Sequence, residues 1–163
     1  MSQNGGVDAL TIARSALQGR DDLQVATVSN TGRPWIFTCW YDANDQFEIV
    51  FLSKDHRRHS QDILATSAVA ATAVCQRTTL GEPVQSVTVE GRCHQVTDDV
   101  ISDAYRRFTN RFPQVRQLVS REQLLDPSVP DFLWLIQPER VVLFDEVNFA
   151  PPSNQPRQEV VDW

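Results

Sequence analysis

Between Leu23 and Ser53 the chain passes through three β-branched or aromatic segments separated only by turn clusters. That spacing limits the fold more than any other feature. LQVATVS, from Leu23 to Ser29, is roughly alternating, and Asn30-Thr31-Gly32 follows it as a turn. WIFTCWY, from Trp35 to Tyr41, then reads as the return strand of a hairpin. A second turn, Asp42-Ala43-Asn44-Asp45, leads into FEIVFLS, from Phe47 to Ser53. Parallel strands need a crossover of about a dozen residues or more, so connections this short force antiparallel pairing. The region is a meander and not a set of βαβ units.

The rest of the chain extends that pattern. Residues from about Val7 to Gln18 place Ala9, Ile12, Ala13, Ala16 and Leu17 on one helical stripe, and Gly19 can end the helix. Ser60 to Ala65 predicts a short helix with Ile63 and Leu64 inward. Ala68 to Cys75 is a small, β-branched buried strand. Val84 to Val96 is another, alternating through Val87 and Val89 and bending at Gly91, a residue suited to a bulge or barrel corner. Asp98 is placed to cap a helix carrying Ile101, Ala104, Tyr105, Phe108 and Phe112, which Pro113 interrupts. A second short helix is expected over Gln114 to Leu125. FLWLIQ and RVVLFDE, parted by Pro138-Glu139, predict a closing hairpin or a sharply bent strand pair. The Pro-rich tail, 150–163, is expected to run over the surface or reach a neighbouring subunit. No repeat or linker divides the chain, so 1–163 reads as one domain. The expected class is mainly β with a few helices: six or seven antiparallel strands closed into a barrel, which removes exposed sheet edges.

Composition narrows the function classes. A chain of 163 residues buries about two-thirds of its unfolded surface without staples. A hydrophobic content of 41%, with eight Phe and four Trp, excludes a disordered chain. The formal charge of −6 argues against general affinity for nucleic acid or anionic membrane. No apolar run reaches the roughly 18 residues of a membrane span. The opening MSQNGGVDAL has neither the basic nor the apolar region of a signal peptide, so a cytoplasmic location is expected. Cys39, Cys75 and Cys93 form no CxxC pair, which fits a reducing compartment and gives no metal site.

Against this acidic background the only lysine, Lys54, sits in SKDHRRH beside His56, Arg57, Arg58 and His59. The loop joins a strand end to a helix start, where free N–H groups and the helix dipole attract anions. Arginine's planar fork suits a phosphate, and Ser53 and Ser60 add short neutral donors. A solvated charged turn, offset by Asp55 and Asp62, explains the same residues; so, less well, does nonspecific polyanion binding. The preceding strand is dense in aromatics (Trp35, Phe37, Trp40 and Tyr41), residues that more often build core than bind ligand. Yet it pairs with the strand that ends at the basic loop, so apolar wall and cations would be neighbours. No Ser–His–Asp or paired-carboxylate arrangement is evident, and the lone His94 reads as a strand residue.

The segment Leu23 to His59 resembles the core of the FMN-binding split barrels, the pyridoxamine-phosphate-oxidase-like superfamily, in its small bacterial branch. The matching residues are Ala26-Thr27, Gly32-x-Pro34, Phe51-x-Ser53 and Arg58-His59-Ser60-Gln61-Asp62-Ile63. VTVEGRCHQV and IQPERVVLFDE also look like this family, so the resemblance spans about 20–149. It implies a Greek-key split barrel that binds FMN. Arg58 and His59 would hold the phosphate, helped by Ser53 and Lys54, with Arg57 offset by one position. Trp35, Ile36, Phe37 and Thr38 would line the isoalloxazine, and Gln85 or Ser86 would approach the ring or ribityl from the later strand. It also implies a homodimer with FMN at the interface, which Trp134, Phe149 and Trp163 would suit, and an oxidoreductase acting on a small molecule with NAD(P)H as a candidate donor. The C-terminal Arg-x-His element of true pyridoxamine-phosphate oxidases does not appear, which points away from vitamin B6 oxidation. Haem-handling, deazaflavin-using and flavin-reductase branches share the barrel, so the alternatives are a flavin- or haem-binding protein without turnover of its own, a barrel that uses a deazaflavin, and one that has lost the ligand and serves as an interaction module. Fold alone does not choose among them.

Overall fold

The structure is a computed structural model and describes residues 8–75, 79–149, 155–160 and 163. The described elements, in chain order, are helix α1 (Ala9–Gln18), strands β1 (Asp22–Val28), β2 (Pro34–Ala43) and β3 (Ile49–Lys54), helix α2 (Arg58–Thr66), strands β4 (Ala68–Val74) and β5 (Gln85–Gln95), helix α3 (Asp98–Arg111), and strands β6 (Asp131–Asp145) and β7 (Arg157–Val160).

The sheet order is β3-β2-β1-β4-β5-β6-β7, and β3 also pairs with β6, which closes a six-stranded barrel and leaves β7 attached outside it. Every pairing is antiparallel. The first four strands lie in the order β4-β1-β2-β3, a Greek key in which α2 carries the chain back to the far side of β1. The predicted class and the Greek-key barrel are therefore as expected. The first hairpin turns where the sequence places it, with Gly32 at φ +77°, a conformation that side chains with a Cβ adopt only under strain.

Two apolar clusters account for the packing. Inside the barrel, Leu23, Val25, Tyr41, Phe47, Phe51 and Trp134 are fully or almost fully buried, and α1 closes one end with Ala13 and Leu17. Outside it, Ile101, Phe108, Phe112 and Val115 pack over Val50, Leu133 and Leu135. β3 is thus covered on both faces, which is why Ile49-Val50-Phe51 is continuously apolar instead of alternating. Each such side chain contributes roughly 1.5–3 kcal/mol on burial.

Several expectations are corrected. Of the two readings of FLWLIQ and RVVLFDE, the hairpin does not form and the bent alternative is the nearer one. The two segments form one 15-residue strand, β6, bent at Pro138 opposite the register shift between Glu90 and Gly91. A Cβ on Gly91 would lie 2.0 Å from the Gln137 carbonyl oxygen, so the crossing tolerates only glycine. The helix expected over Gln114 to Leu125 is two 3-10 turns, Pro113–Gln117 and Gln123–Leu125, because the proline-led segment lacks a continuous apolar stripe. Thr97, not Asp98, occupies the N-cap position of α3, and no side chain caps it. Leu64 faces outward, 56% exposed. In the tail, Arg157–Val160 pairs with Val141–Phe144 of β6; 150–154 and 161–162 lie outside the described residues. Trp134 is completely buried in the barrel, and Phe149 and Trp163 pack against the same core, so Trp134 is not an interface residue.

Candidate functional site

The barrel opens where β2 and β3 part. Their pairing runs only over Tyr41↔Phe51, Asp42↔Val50 and Ala43↔Ile49, although β2 begins at Pro34 and β3 continues to Lys54. Tyr41 N–H donates to the Asp21 carbonyl at 3.4 Å, so odd-numbered residues of β2 turn their backbone groups toward β1. By antiparallel alternation the N–H and C=O groups of Ile36, Thr38 and Trp40 face the opening. The long contact of 3.5 Å from Arg58 Nη2 to the Pro34 carbonyl agrees with that parity.

His59 enters the gap that β3 leaves. Its imidazole stacks on Phe37 with centroids 3.8 Å apart and planes 12° off parallel, and Nε2 lies 2.7 Å from Ser53 Oγ. Ser53 is anchored in turn by Trp134 Nε1–H, which donates to its carbonyl at 3.1 Å. Burial, reinforced by the positive charge of Arg57, lowers the His59 pKa and outweighs the opposing influence of Asp62. The ring is therefore neutral at neutral pH.

Around this pair lies a cleft of about 300 Å³. Phe37 to Trp40 form one wall and Leu52 and Ser53 another, while Phe108, Phe112, Gln114, Val115 and Leu118 of α3 and the following 3-10 turn form the roof. Burial pushes the Cys39 thiol up to about 12, so it is an apolar wall group and not a nucleophile. Among the described residues no group of His, Cys, Asp or Glu could hold a metal ion.

Next to the lining residues Ser53 and His59, though outside the cleft lining itself, the start of α2 gathers cations. Helix α2 starts at Arg58 with Arg57 at its N-cap, no side chain caps it, and its first turn contains no acidic residue. Positive side chains at a helix N-terminus oppose the dipole unless an anion sits there. Arg58 lies with its guanidinium carbon 4.5 Å from the Trp35 ring centroid, and its Nε is 3.7 Å from Asp62. Asp62 is buried and accepts a hydrogen bond from Thr27 Oγ1 at 3.0 Å. Ser60 Oγ donates to the Lys54 carbonyl at 2.7 Å, and Gln61 Nε2 to the Asp55 carbonyl at 2.8 Å, fixing the loop. Among the described residues the Lys54 and Arg57 side chains make no ion pair.

Of the residues singled out from sequence, Phe37, Thr38, Ser53 and His59 line the cleft. Trp35 and Arg58 stack beside it, while Lys54 and Arg57 flank the helix start. Ile36 is exposed along the open strand edge. Gln85 and Ser86 are not brought here within one chain: β1 and β4 separate β5 from β2, and Gln85 Nε2 donates to Asp145 at 3.0 Å. Sequence reasoning missed the roof. Phe108 and Phe112 were legible as an apolar stripe, but which strands that stripe covers was not. In the sequence Trp40 reads only as one of the aromatics of the strand.

Comparisons with known proteins agree with this architecture. The profile of the family described as pyridoxamine 5'-phosphate oxidase matches residues 13–142. No curated protein matches the chain in sequence. A heme binding protein from Mycobacterium smegmatis superposes with a TM-score of 0.74 at 15% identity, over 95% of this chain and 58% of that one. The chain thus spans little more than half the length of that protein. HutZ, the heme storage protein from Vibrio cholerae, gives 0.67 at 19% identity, over 83% and 94% of the two chains. A FAD-binding protein from Mesorhizobium loti gives 0.62 at 17%, over 83% and 92%. At these identities the likeness is one of fold. The profile match covers most of the chain, including every strand of the opening, and by that match the chain belongs to the pyridoxamine 5'-phosphate oxidase family.

Proposed function

We propose that the protein is a flavoprotein that binds FMN in the cleft between β2 and β3 and acts as an oxidoreductase on a small molecule. The observation that carries this reading is the uncapped, cation-rich start of α2 directly beside an open strand edge. The first three N–H groups of α2, with Arg57, Arg58 and Lys54, match a phosphate dianion in charge and donor type. The outward backbone groups of Ile36, Thr38 and Trp40 match the alternating donors and acceptors of a flavin's polar edge, and the aromatic and aliphatic walls match its ring.

FMN, when bound, supplies hydride chemistry that no side chain here provides. The chain's own task is to hold and orient it. Arg58 and the helix start anchor the charged end, β2 presents the backbone, and the α3 roof keeps water from the apolar wall. In this reading His59 serves as a neutral wall group behind Phe37, with Ser53 fixing its ring, instead of adding a fourth positive charge to Lys54, Arg57 and Arg58.

A cleft of about 300 Å³ lies at the small end for a small-molecule site, and apolar side chains surround its open side. Ile36 is 62% exposed, Trp40 68% and Leu118 74%. A second copy of the chain covers them in this reading and completes the site, and Gln85 and Ser86 would reach a flavin only across such a homodimer.

A haem reading has one observation in its favour, a neutral histidine inside the cleft, but Nε2 of His59 is already engaged by Ser53. The absorbance spectrum of freshly purified protein decides between the two. Flavin bands support the proposal, and an intense Soret band with no flavin overturns it. Anaerobic NAD(P)H then tests turnover. Bleaching of the flavin bands is expected, and flavin that bleaches with dithionite but with neither nucleotide would leave a flavin carrier in place of an oxidoreductase.

A further inference from the structure

We propose that Asp62 is a positioning residue that fixes the Arg58 guanidinium for a phosphate monoester, and so sets the preference for a phosphorylated ligand over its unphosphorylated form. This rests on the phosphate-binding reading of the α2 start. Asp62 is only 6% exposed, an unusual place for a carboxylate unless it is hydrogen-bonded or paired. One partner is Thr27 on β1, whose hydroxyl donates to Oδ2 at 3.0 Å. The same Oδ2 lies 3.7 Å from Arg58 Nε, one helical turn earlier. Trp35 takes one face of the guanidinium at 4.5 Å, and the Pro34 carbonyl takes Nη2.

Arg58 is therefore restrained through Nε, Nη2 and one face before any ligand binds. One N–H of Nη2 donates to the Pro34 carbonyl at 3.5 Å, Nε faces Asp62 as an ion pair at 3.7 Å, and the other donors remain for an anion. The side chain that holds it is anchored to the barrel, not to solvent. A long, half-exposed arginine otherwise pays rotamer entropy each time it meets a ligand, and a planar fork fixed in advance avoids that loss.

Charge and orientation predict opposite signs for the isosteric variant Asp62→Asn. Removing a nearby negative charge should tighten anion binding, by about twofold at a water-exposed helix start. Releasing Arg58 from its posture should weaken it by about tenfold, the worth of one well-made charge-assisted contact. The second effect is the larger, so D62N is expected to weaken phosphate recognition even though it makes the site more positive.

The test uses the full chain and three probes: FMN, riboflavin and inorganic phosphate, the last followed by tryptophan fluorescence through the Arg58–Trp35 contact. In D62N, FMN affinity is expected to fall about tenfold with riboflavin unchanged. The phosphate midpoint should rise by a similar factor. Thr27→Val, which removes only the hydroxyl anchor, should give a smaller change of the same sign. Arg58→Lys, which keeps the charge but not the fork, should lower the same FMN-to-riboflavin ratio. If D62N fails to fold, T27V and R58K carry the test. A ratio that is unchanged or raised overturns the inference and leaves Asp62 as an anchor of α2. Should neither flavin bind the unmodified protein while D62N still raises its phosphate midpoint, the flavin reading falls and the Asp62 assignment stands. An unmodified protein that binds neither FMN nor phosphate overturns the assignment.

Discussion

Two adjacent residues at the start of α2 point in different directions, and that difference decides what each can do. Arg58 lies outward over Trp35, while His59 turns into the barrel opening and stacks on Phe37. From sequence the two read as one basic pair, since composition records charge and not direction. Burial separates them. Because the folded state holds His59 below its ordinary pKa, the unfolded chain takes up the proton first as pH falls. The stability that neutral His59 contributes is complete above about pH 6.5 and is lost as pH drops through the lower folded value. Urea midpoints at successive pH values should therefore fall across that window. His59→Phe, which keeps a ring on Phe37, should flatten the decline, and an equally steep decline in the variant would assign it to other groups.

At the scale of elements, the opening exists because β2 is longer than its pairing with β3. The hairpin and the three-strand meander were legible from alternation and the Asn30-Thr31-Gly32 turn. The parting of β2 from β3 was not, since it depends on β3 turning to pair with β6, a contact between residues some eighty positions apart. The bend in β6 was half legible: Pro138 marked the break, but only the approach of Gly91 to Gln137 shows that one strand passes through it. Gly91→Ala would drive a methyl group into backbone that cannot yield. It should destabilise the fold by roughly 2–4 kcal/mol, read as a lowered urea midpoint. A loss below about 1 kcal/mol would mean that the strands can separate without harm to the barrel. The roof made by α3 and the Pro113–Gln117 turn illustrates the same limit. Its apolar stripe is in the sequence, but the face it covers is a tertiary fact.

Over the whole molecule, a net charge of −6 coexists with a cationic cluster at the start of α2. The acidic remainder disfavours a polyanion, and the local cluster suits a single phosphate. The exposed Trp40 and Leu118 line the same cleft and Ile36 lies on the same strand β2, which ties assembly to binding in the proposed dimer. Trp40→Glu should shift sedimentation from dimer to monomer, with the association weakened at least tenfold, and lower flavin affinity with it. A variant that stays dimeric with full affinity would move the interface elsewhere.

The central claim is that the start of α2 holds the phosphate of a bound flavin. Flavin stoichiometry in freshly purified protein tests it most directly, compared between the unmodified chain and Arg58→Ala. One FMN per chain is expected in the former. In R58A, loss of a charge-assisted contact of about 1.5–3 kcal/mol should weaken FMN ten- to a hundredfold without loss of fold. A protein that takes up no FMN, or an R58A variant that retains FMN at full stoichiometry and unchanged affinity, would contradict the account.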